Sequence, residues 1–363
     1  MTQACALACR HCRASAVPDA HPDQLTFDEG VRLIEQIPEF GEPMPHLILT
    51  GGDPLMRADL YELIDEARRL RIGVSITPAA TPKLTRDVIA KLKEHGVEGL
   101  GLSLDGSTAA GHDSIRGVPG TFDRTMAAIG WAREFDLPVQ INTLVCEETA
   151  PDMPAVYELL KPTRIARWSL FFLISVGRGK VLQPLSANEA ELLMRWIYYA
   201  SRLAPFVVAT TEAPSYRRVA LEIMREAGMT GEEIRGSKTA RGFGIRDGHG
   251  VMFVSHTGEI CPAGFLPVAA GNVKNDRLVE VYRRAPLFQQ LHEPHEFEGR
   301  CGSCEYRNVC GGSRARAYAA TGDPLASDPL CSRVVESISW APSLGLSRYD
   351  TVGERDRAEF RSL

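Results

Sequence analysis

Short apolar segments alternate with amphipathic segments of helical period through the first half of the chain, and this alternation restricts the fold more than any other feature. Continuously apolar strands joined by helices are typical of a parallel sheet with both faces covered. The sequence therefore predicts an α/β fold with a (β/α) barrel, complete or partial, over residues 1–180. The predicted strands are 46–50, 73–77, 99–104, 139–145 and 168–176, and the predicted helices are 25–38, 60–70, 85–95, 121–135 and 153–160.

The remaining sequence divides into three parts. Residues 181–250 indicate helices with a break around 204–214, followed by a glycine-rich loop that connects the barrel to the next domain. Residues 251–332 contain short strands, many turns and several cysteines, so we expect a small cysteine-rich α+β domain. Residues 333–363 form a polar tail to which no role can be assigned.

Composition excludes several classes of protein. The chain has 363 residues and a formal net charge of −5, whereas nucleic-acid-binding surfaces are normally basic. No apolar run approaches the roughly 18 residues of a membrane span. The N-terminus lacks the basic and apolar regions of a signal peptide. We therefore expect a soluble, cytoplasmic protein without a nucleic-acid or membrane partner.

Nine cysteines are present, and seven of them fall into two clusters. An odd number without an export signal argues against disulfides and favours metal or Fe–S ligation. Three thiolates in the spacing C-x3-C-x2-C can hold three corners of a cubane cluster and leave one iron open. A zinc site or chance spacing is the alternative. The clusters are Cys5, Cys9 and Cys12, and Cys301, Cys304, Cys310 and Cys331.

Polar motifs follow the predicted strands, at the rim where barrels of this type assemble their active sites. The first is Gly51-Gly52-Asp53-Pro54, and the second contains Ser103 and Asp105. A third, Val176-Gly177-Arg178-Gly179, follows the last predicted strand. We expect these turns to lie near the first cysteine cluster, although a purely structural turn is the alternative for each.

The cysteine spacing together with Gly51-Gly52-Asp53-Pro54 resembles the radical S-adenosylmethionine (SAM) superfamily. The resemblance implies a partial (β/α)6 TIM-like barrel and a [4Fe–4S] cluster on the three N-terminal cysteines, which act as the catalytic residues. That cluster binds SAM and, with one electron, yields a 5′-deoxyadenosyl radical that abstracts hydrogen from a substrate. The electron donor would be a flavodoxin or ferredoxin. The residues that would contact SAM are His11, Gly51, Gly52, Asp53, Pro54, Ser103, Asp105, the weaker match Asn142, and the 176–179 turn.

The chain departs from the family pattern at its start. Members usually have a strand before the cysteine loop, and Met1-Thr2-Gln3-Ala4 leaves no room for it. We therefore expect the first barrel strand to be missing, which leaves an unpaired edge on the next strand. The hypothesis is that the native chain begins upstream.

The second cluster resembles the C-terminal half of the SPASM/twitch extension, which implies one auxiliary [4Fe–4S] cluster on Cys301, Cys304, Cys310 and Cys331. A second auxiliary cluster would need a cysteine where Arg314 stands. Structural zinc is the alternative for the quartet. Cys261 is a leftover, a substrate-side thiol or an alternative ligand, and Cys146 is expected to be a buried core thiol.

Residues 310–318, 321–324, 328–331 and 261–273 resemble the haem-pathway branch, which acts on iron-coproporphyrin, sirohaem derivatives and haem d1 precursors. A peptide-modifying SPASM maturase is the alternative. Outside this class the alternatives are a non-catalytic zinc-binding protein and an Fe–S electron carrier. Several basic residues could pair with porphyrin carboxylates, although such charges are more often simply a solvated helix face. They are Arg217, Arg218, Arg225, Arg235, Lys238, Arg241 and Arg246.

Overall fold

A sheet of six parallel strands forms the centre of the computed structural model, which describes residues 1–237 and 245–333. The strands follow one another in chain order, and each is hydrogen-bonded to the next. The predicted α/β fold with a partial six-stranded barrel is confirmed. The strands are β1 (Leu47–Leu49), β2 (Val74–Ile76), β3 (Gly99–Ser103), β4 (Val139–Val145), β5 (Arg167–Phe172) and β6 (Val207–Thr211).

Helices supply the crossovers that parallel strands require. Their apolar faces are buried against the sheet, as at Ile64 and Ala67, which are fully buried. None of the helices within 1–237 and 245–333 is long and apolar enough to cross a membrane. The helices are α1 (Phe27–Gln36), α2 (Leu60–Arg69), α3 (Arg86–Glu94), α4 (Ala109–Arg116), α5 (Thr121–Glu134), α6 (Met153–Leu160), α7 (Ala187–Leu203), α8 (Ser215–Glu226) and α9 (Gly231–Gly236).

Two elements of the barrel differ from the sequence-based expectation. The break expected around 204–214 contains strand β6, so the parallel sheet extends beyond residue 180 into the segment interpreted as a helical connection. Helix α4 was not predicted. It buries only His112, Ile115 and Arg116, so its apolar face is too narrow to produce a clear helical period.

Strand β1 pairs with β2 on one side, and no strand in the described residues pairs with its other side. Ile48 in β1 is 60% exposed there. The first residues of the chain run beside the end of β1: the Met1 amine donates to the Thr50 carbonyl at 3.0 Å, and Gly52 N–H donates to the Thr2 carbonyl at 2.7 Å. The upstream start of the native chain stays a prediction.

A second, antiparallel sheet lies in the C-terminal segment. Arg316 lies in a helix of the same segment, and its side chain contacts the barrel by donating to the Glu212 carbonyl after β6 at 2.7 Å. The predicted tail, from residue 334 onwards, lies outside the described residues. The elements are β7 (Phe253–Val254), β8 (Glu259–Cys261), β9 (Gly271–Asn272), α10 (Leu278–Arg284), α11 (Pro286–His292), α12 (Gly299–Ser303) and α13 (Arg314–Thr321).

Candidate active site

A large cavity of about 2210 Å³ is bounded by the residues that follow the parallel strands. Cys5, Cys9 and Cys12 line it, as expected from the strand-end position of the neighbouring turns. Phe253 and Phe265 of the C-terminal segment close another part of its wall. Most of the polar residues predicted from the strand-end motifs therefore share one cavity with the first cysteine cluster.

The three cysteines lie in one loop, and a nitrogen donor points at each sulfur. Leu7 N–H donates to Cys5 Sγ and Ala16 N–H to Cys12 Sγ, both at 3.4 Å, while Arg116 Nη1 lies 3.7 Å from Cys9 Sγ. Burial raises the pKa of the Cys5 thiol to about 11. Such a thiol becomes a thiolate only beside a strong positive charge, and N–H donors to the sulfurs are typical of Fe–S ligands. The loop fits a cubane cluster.

The Gly51-Gly52 turn brings this loop against the end of β1. Asp53 N–H donates to the Ala4 carbonyl at 2.7 Å. A Cβ atom on Gly51 would lie 2.4 Å from the Thr2 oxygen, and one on Gly52 would lie 2.3 Å from the Ala4 oxygen. Gly51 also has a φ of +146°. Both positions require glycine because the backbone that leads into Cys5 passes directly against them.

The buried carboxylate of Asp53 is hydrogen-bonded to other groups of the protein. It accepts hydrogen bonds from the N–H groups of Leu55 at 3.1 Å and Ala79 at 3.3 Å, and from the Thr81 hydroxyl at 3.1 Å. Burial nevertheless raises the pKa of Asp53 above its usual value. Neither Asp53 nor Pro54 lines the cavity, whereas both preceding glycines do. The side chain of Asp53 thus joins two strand-end loops and supports the turn from behind.

Asp105 lines the cavity after β3 and forms a buried ion pair. Its Oδ2 lies 2.7 Å from Arg116 Nη2, and its Oδ1 accepts from Leu144 N–H at 2.8 Å. Burial alone would raise the pKa of Asp105, but the Arg116 charge outweighs that effect and holds the pKa below its usual value. Asp105 is therefore a carboxylate at neutral pH, and Arg116 connects it to the sulfur of Cys9.

Three further predicted residues face the same cavity. Ser103 and Asn142 lie opposite each other on β3 and β4, and Asn142 Oδ1 accepts from Gln140 at 2.8 Å. His11 is also in the lining, and burial lowers its pKa to about 4, so its ring is neutral at pH 7. Its Nδ1 is buried without a hydrogen-bond partner in the described residues.

Arg178 fixes the cysteine loop, a role that the sequence did not reveal. Its Nε donates to the Cys9 carbonyl at 2.9 Å, its Nη1 to the Ala16 carbonyl at 2.8 Å, and its backbone N–H to the Cys12 carbonyl at 3.0 Å. Gly177, with φ of +54°, lies so close to this loop that a Cβ would approach the backbone to 2.4 Å. The turn after β5 therefore holds the backbone of the cysteine loop at Cys9 and Cys12.

Comparison with known proteins identifies the family. The family model described as "Radical SAM superfamily" matches residues 1–160. The AdoMet-dependent heme synthase of Oleidesulfovibrio alaskensis is 37% identical over 334 residues, which cover 92% of this chain and 85% of that protein. The chain belongs to the radical SAM superfamily. An AdoMet-dependent heme synthase of Methanosarcina barkeri is 36% identical over 331 residues, covering 91% of this chain and 94% of the relative.

These relatives place this radical SAM enzyme in the haem-pathway branch. Streptococcus suis SuiB bound to S-adenosylmethionine superposes with a TM-score of 0.68 at 18% identity, covering 91% of this chain and 75% of SuiB, which confirms the fold. The interpretations as a non-catalytic zinc protein or a simple electron carrier are wrong, because the family is enzymatic. The peptide-maturase alternative is less well supported than the haem branch.

The C-terminal cysteine quartet of this radical SAM enzyme lines a second, small cavity. Cys261 lines neither cavity, and Cys146 is buried with its sulfur 3.5 Å from the Thr149 hydroxyl. In residues 1–237 and 245–333, no group of three or more His, Cys, Asp or Glu is placed to hold a metal ion. Backbone N–H groups donate at 3.4 Å to three quartet sulfurs: Asp328 to Cys301, Tyr306 to Cys304 and Gly312 to Cys310.

Proposed function

We propose that this radical SAM enzyme holds a [4Fe–4S] cluster on Cys5, Cys9 and Cys12, binds SAM beside it, and acts on an iron-tetrapyrrole precursor of haem. One observation carries the proposal: three cysteines with N–H donors line a cavity also bounded by a Gly-Gly turn, in a chain 37% identical to an AdoMet-dependent heme synthase. The protein supplies position and water exclusion, and the cofactors supply the difficult chemistry.

The chain's own residues would bind and orient SAM. A [4Fe–4S] cluster held by Cys5, Cys9 and Cys12 would supply the electron that cleaves SAM to methionine and the 5′-deoxyadenosyl radical. Gly51 and Gly52 present bare backbone to the cavity, where the amino acid part of SAM can approach closely. Ser103, Asn142 and the ionised Asp105 offer polar groups for the rest of SAM. In this proposal Asp53 and Pro54 support the turn, and His11 contributes a neutral ring beside the cysteines.

We also propose one auxiliary [4Fe–4S] cluster on Cys301, Cys304, Cys310 and Cys331. Their shared cavity and the three N–H donors to sulfur support this assignment. Four thiolates leave no open iron, so the cluster would relay electrons. Arg314, at the position where a further cysteine would be needed, donates to the Pro324 and Ala326 carbonyls instead.

The proposed substrate is iron-coproporphyrin or a related haem precursor. Iron-coproporphyrin carries propionates at two positions where haem has vinyl groups, so its conversion removes hydrogen and carbon dioxide from each of two side chains. Hydrogen abstraction by the 5′-deoxyadenosyl radical would start such a reaction, and the one electron left over from each loss of carbon dioxide would pass to the proposed auxiliary cluster. The reductant would be a flavodoxin or ferredoxin, and the reaction would take place in the cytoplasm.

The decisive experiment is 5′-deoxyadenosine formation by anaerobically reconstituted protein with SAM and dithionite. We expect product from the wild type and from Cys146→Ala, a buried cysteine outside both cavities, but none from Cys9→Ala. Iron-coproporphyrin III is then added, and the porphyrin products are identified by mass spectrometry. Absence of 5′-deoxyadenosine from all three proteins would refute the proposal. Formation of 5′-deoxyadenosine with an unchanged porphyrin would refute only the haem assignment and favour peptide substrates.

A further inference from the structure

The basic residues that could have bound substrate carboxylates differ in their partners and in their position relative to the cavity. Arg218 pairs with Glu191 and with Glu222, and Arg225 donates to the Tyr306 hydroxyl, so both are used inside the protein. Arg235 is exposed and outside the cavity. Lys238 and Arg241 lie outside the described residues. Two of the predicted residues line the large cavity: Arg217 and Arg246.

Arg246 is a buried cation without a carboxylate partner in the described part of the chain. Only 5% of the residue is exposed, and its Nε has no hydrogen-bond partner there. No ion pair within 4.0 Å is formed by its guanidinium among residues 1–237 and 245–333. A Cβ on Gly311 would lie 2.9 Å from Arg246 Cδ, so this glycine makes room for the side chain directly after Cys310. A buried, unpaired charge is costly, and an anion bound beside Arg246 would offset that cost.

The acidic residues beside Arg246 do not neutralise it. Asp247 Oδ2 accepts from Ala315 N–H at 2.8 Å, and Glu212 Oε2 accepts from the Ser313 hydroxyl at 2.6 Å. The two carboxyl groups also hydrogen-bond to each other, and burial raises the pKa of both. Both carboxyl groups are directed towards each other and towards the Ser313 and Ala315 donors, and in the described residues neither forms an ion pair with Arg246 within 4.0 Å.

Arg13 provides a second guanidinium, beside the N-terminal cysteine cluster. It directly follows Cys12 and lines the same cavity. Its guanidinium stacks at 4.4 Å over the Phe253 ring and donates to the Gly264 carbonyl at 3.3 Å. Within the described residues it forms no ion pair with a carboxylate. One guanidinium thus adjoins Cys12, and the other adjoins Gly311 beside Cys310.

We propose that Arg246 and Arg13 bind two carboxylates of the substrate, which spans the cavity between the two cysteine clusters. The inference rests on the proposed haem-pathway function and names the chemical group recognised: a planar polycarboxylate. Guanidinium groups bind carboxylates through paired hydrogen bonds, and the Phe253 and Phe265 rings offer apolar surface to a flat macrocycle. Neither arginine takes part in bond breaking; both position the substrate.

The test is a titration of the reconstituted enzyme with iron-coproporphyrin III and, separately, with its tetramethyl ester, followed by the shift of the Soret band. Arg246→Gln and Arg13→Gln should each weaken binding of the tetracarboxylate by about tenfold or more and leave the affinity for the ester unchanged. Arg246→Lys should recover part of the loss, and Arg235→Gln, which removes an exposed charge, should bind as the wild type does. Iron content and the far-ultraviolet circular dichroism spectrum show that each variant is folded and loaded.

Three results would overturn the inference. If Arg246→Gln and Arg13→Gln bind the tetracarboxylate as tightly as the wild type, the carboxylate site is wrong while the haem function stands. If they lose affinity for acid and ester equally, the side chains act by shape and not by charge. If the wild type itself binds no iron-coproporphyrin, the haem function fails and the carboxylate site fails with it.

Discussion

Arg116 Nη1 lies 3.7 Å from Cys9 Sγ, although the two residues are 107 positions apart in the sequence. The other terminal nitrogen of Arg116 pairs with Asp105 at 2.7 Å. All three side chains are buried. Arg116, at the end of α4, therefore links the cysteine loop to the polar residues after β3. Its charge offsets the buried carboxylate of Asp105, and its guanidinium donates to the sulfur of Cys9, a proposed cluster ligand.

Arg116→Met should lower the free energy of unfolding by about 3 kcal/mol or more, because it leaves Asp105 as an uncompensated buried charge. It should also make the reduction potential of the N-terminal cluster more negative, because a cation beside Cys9 is lost. Anaerobic denaturant unfolding and a spectroscopic redox titration measure the two effects. The control is Arg86→Met, which breaks an exposed pair with Glu134 and should cost less than about 1 kcal/mol. Equal losses in the two variants would contradict the prediction.

His112 should make the protein less stable at mildly acidic pH. Its Nδ1 accepts from Asp105 N–H at 3.0 Å, and burial lowers its pKa to about 4 from an ordinary value of 6.5. Between these values the unfolded chain binds a proton that the folded protein does not, so stability falls as the pH decreases from about 6.5 to about 4. The loss should approach about 3 kcal/mol at the lower end.

The measurement is the free energy of unfolding at several pH values for the wild type and His112→Gln. The variant should show a shallower decrease over this pH range. His295→Gln is the control, because the side chain of His295 is 61% exposed. A slope that is the same in His112→Gln and the wild type would assign the acid sensitivity to other groups.

The sequence predicted those parts of the fold and site that depend on local pattern. Strand β4 has buried apolar residues at Val139, Ile141, Leu144 and Val145, and the cysteines of the first cluster are close in sequence, so both were found directly. Strand β6 was missed because its residues Val207–Thr211 are exposed or half-buried, and its short apolar run ends in two threonines. Its place in the sheet depends on pairing with β5, which is a tertiary contact.

The roles of individual side chains were less predictable than their position. Asp53 was expected among the SAM-contacting residues, yet its carboxylate oxygens accept hydrogen bonds from Leu55, Ala79 and Thr81. A turn motif cannot reveal this, because Ala79 and Thr81 come from the loop after another strand. Arg116 gave no signal at all, since its contact with Cys9 exists only after α4 folds against the cysteine loop.

Gly52→Ala should prevent assembly of the N-terminal cluster. The added Cβ would lie 2.3 Å from the Ala4 oxygen, so the backbone that leads into Cys5 must move. We expect less iron per chain after reconstitution and a lower melting temperature. Gly130→Ala is the matched control: it lies within α5 with no atom within 4 Å of the new Cβ, and it should keep full iron and gain about 0.5–1 kcal/mol of stability. Full iron content in Gly52→Ala would show that the loop tolerates the shift.

Cys310→Ala should remove the auxiliary cluster and leave the N-terminal one. Cys310 lines the small cavity with Cys301, Cys304 and Cys331, and loss of one of four thiolates opens the set. Iron should fall from about eight to about four atoms per chain, because each cubane holds four. Cys261→Ala should change nothing, since Cys261 lines neither cavity. Iron analysis and electron paramagnetic resonance of the reduced protein measure this.

Zinc in place of half the expected iron would support the structural-zinc alternative, whereas iron loss in Cys261→Ala would place that thiol among the ligands. Retention of 5′-deoxyadenosine formation by Cys310→Ala would separate the two clusters by function, because SAM cleavage depends on Cys5, Cys9 and Cys12 alone in the proposal.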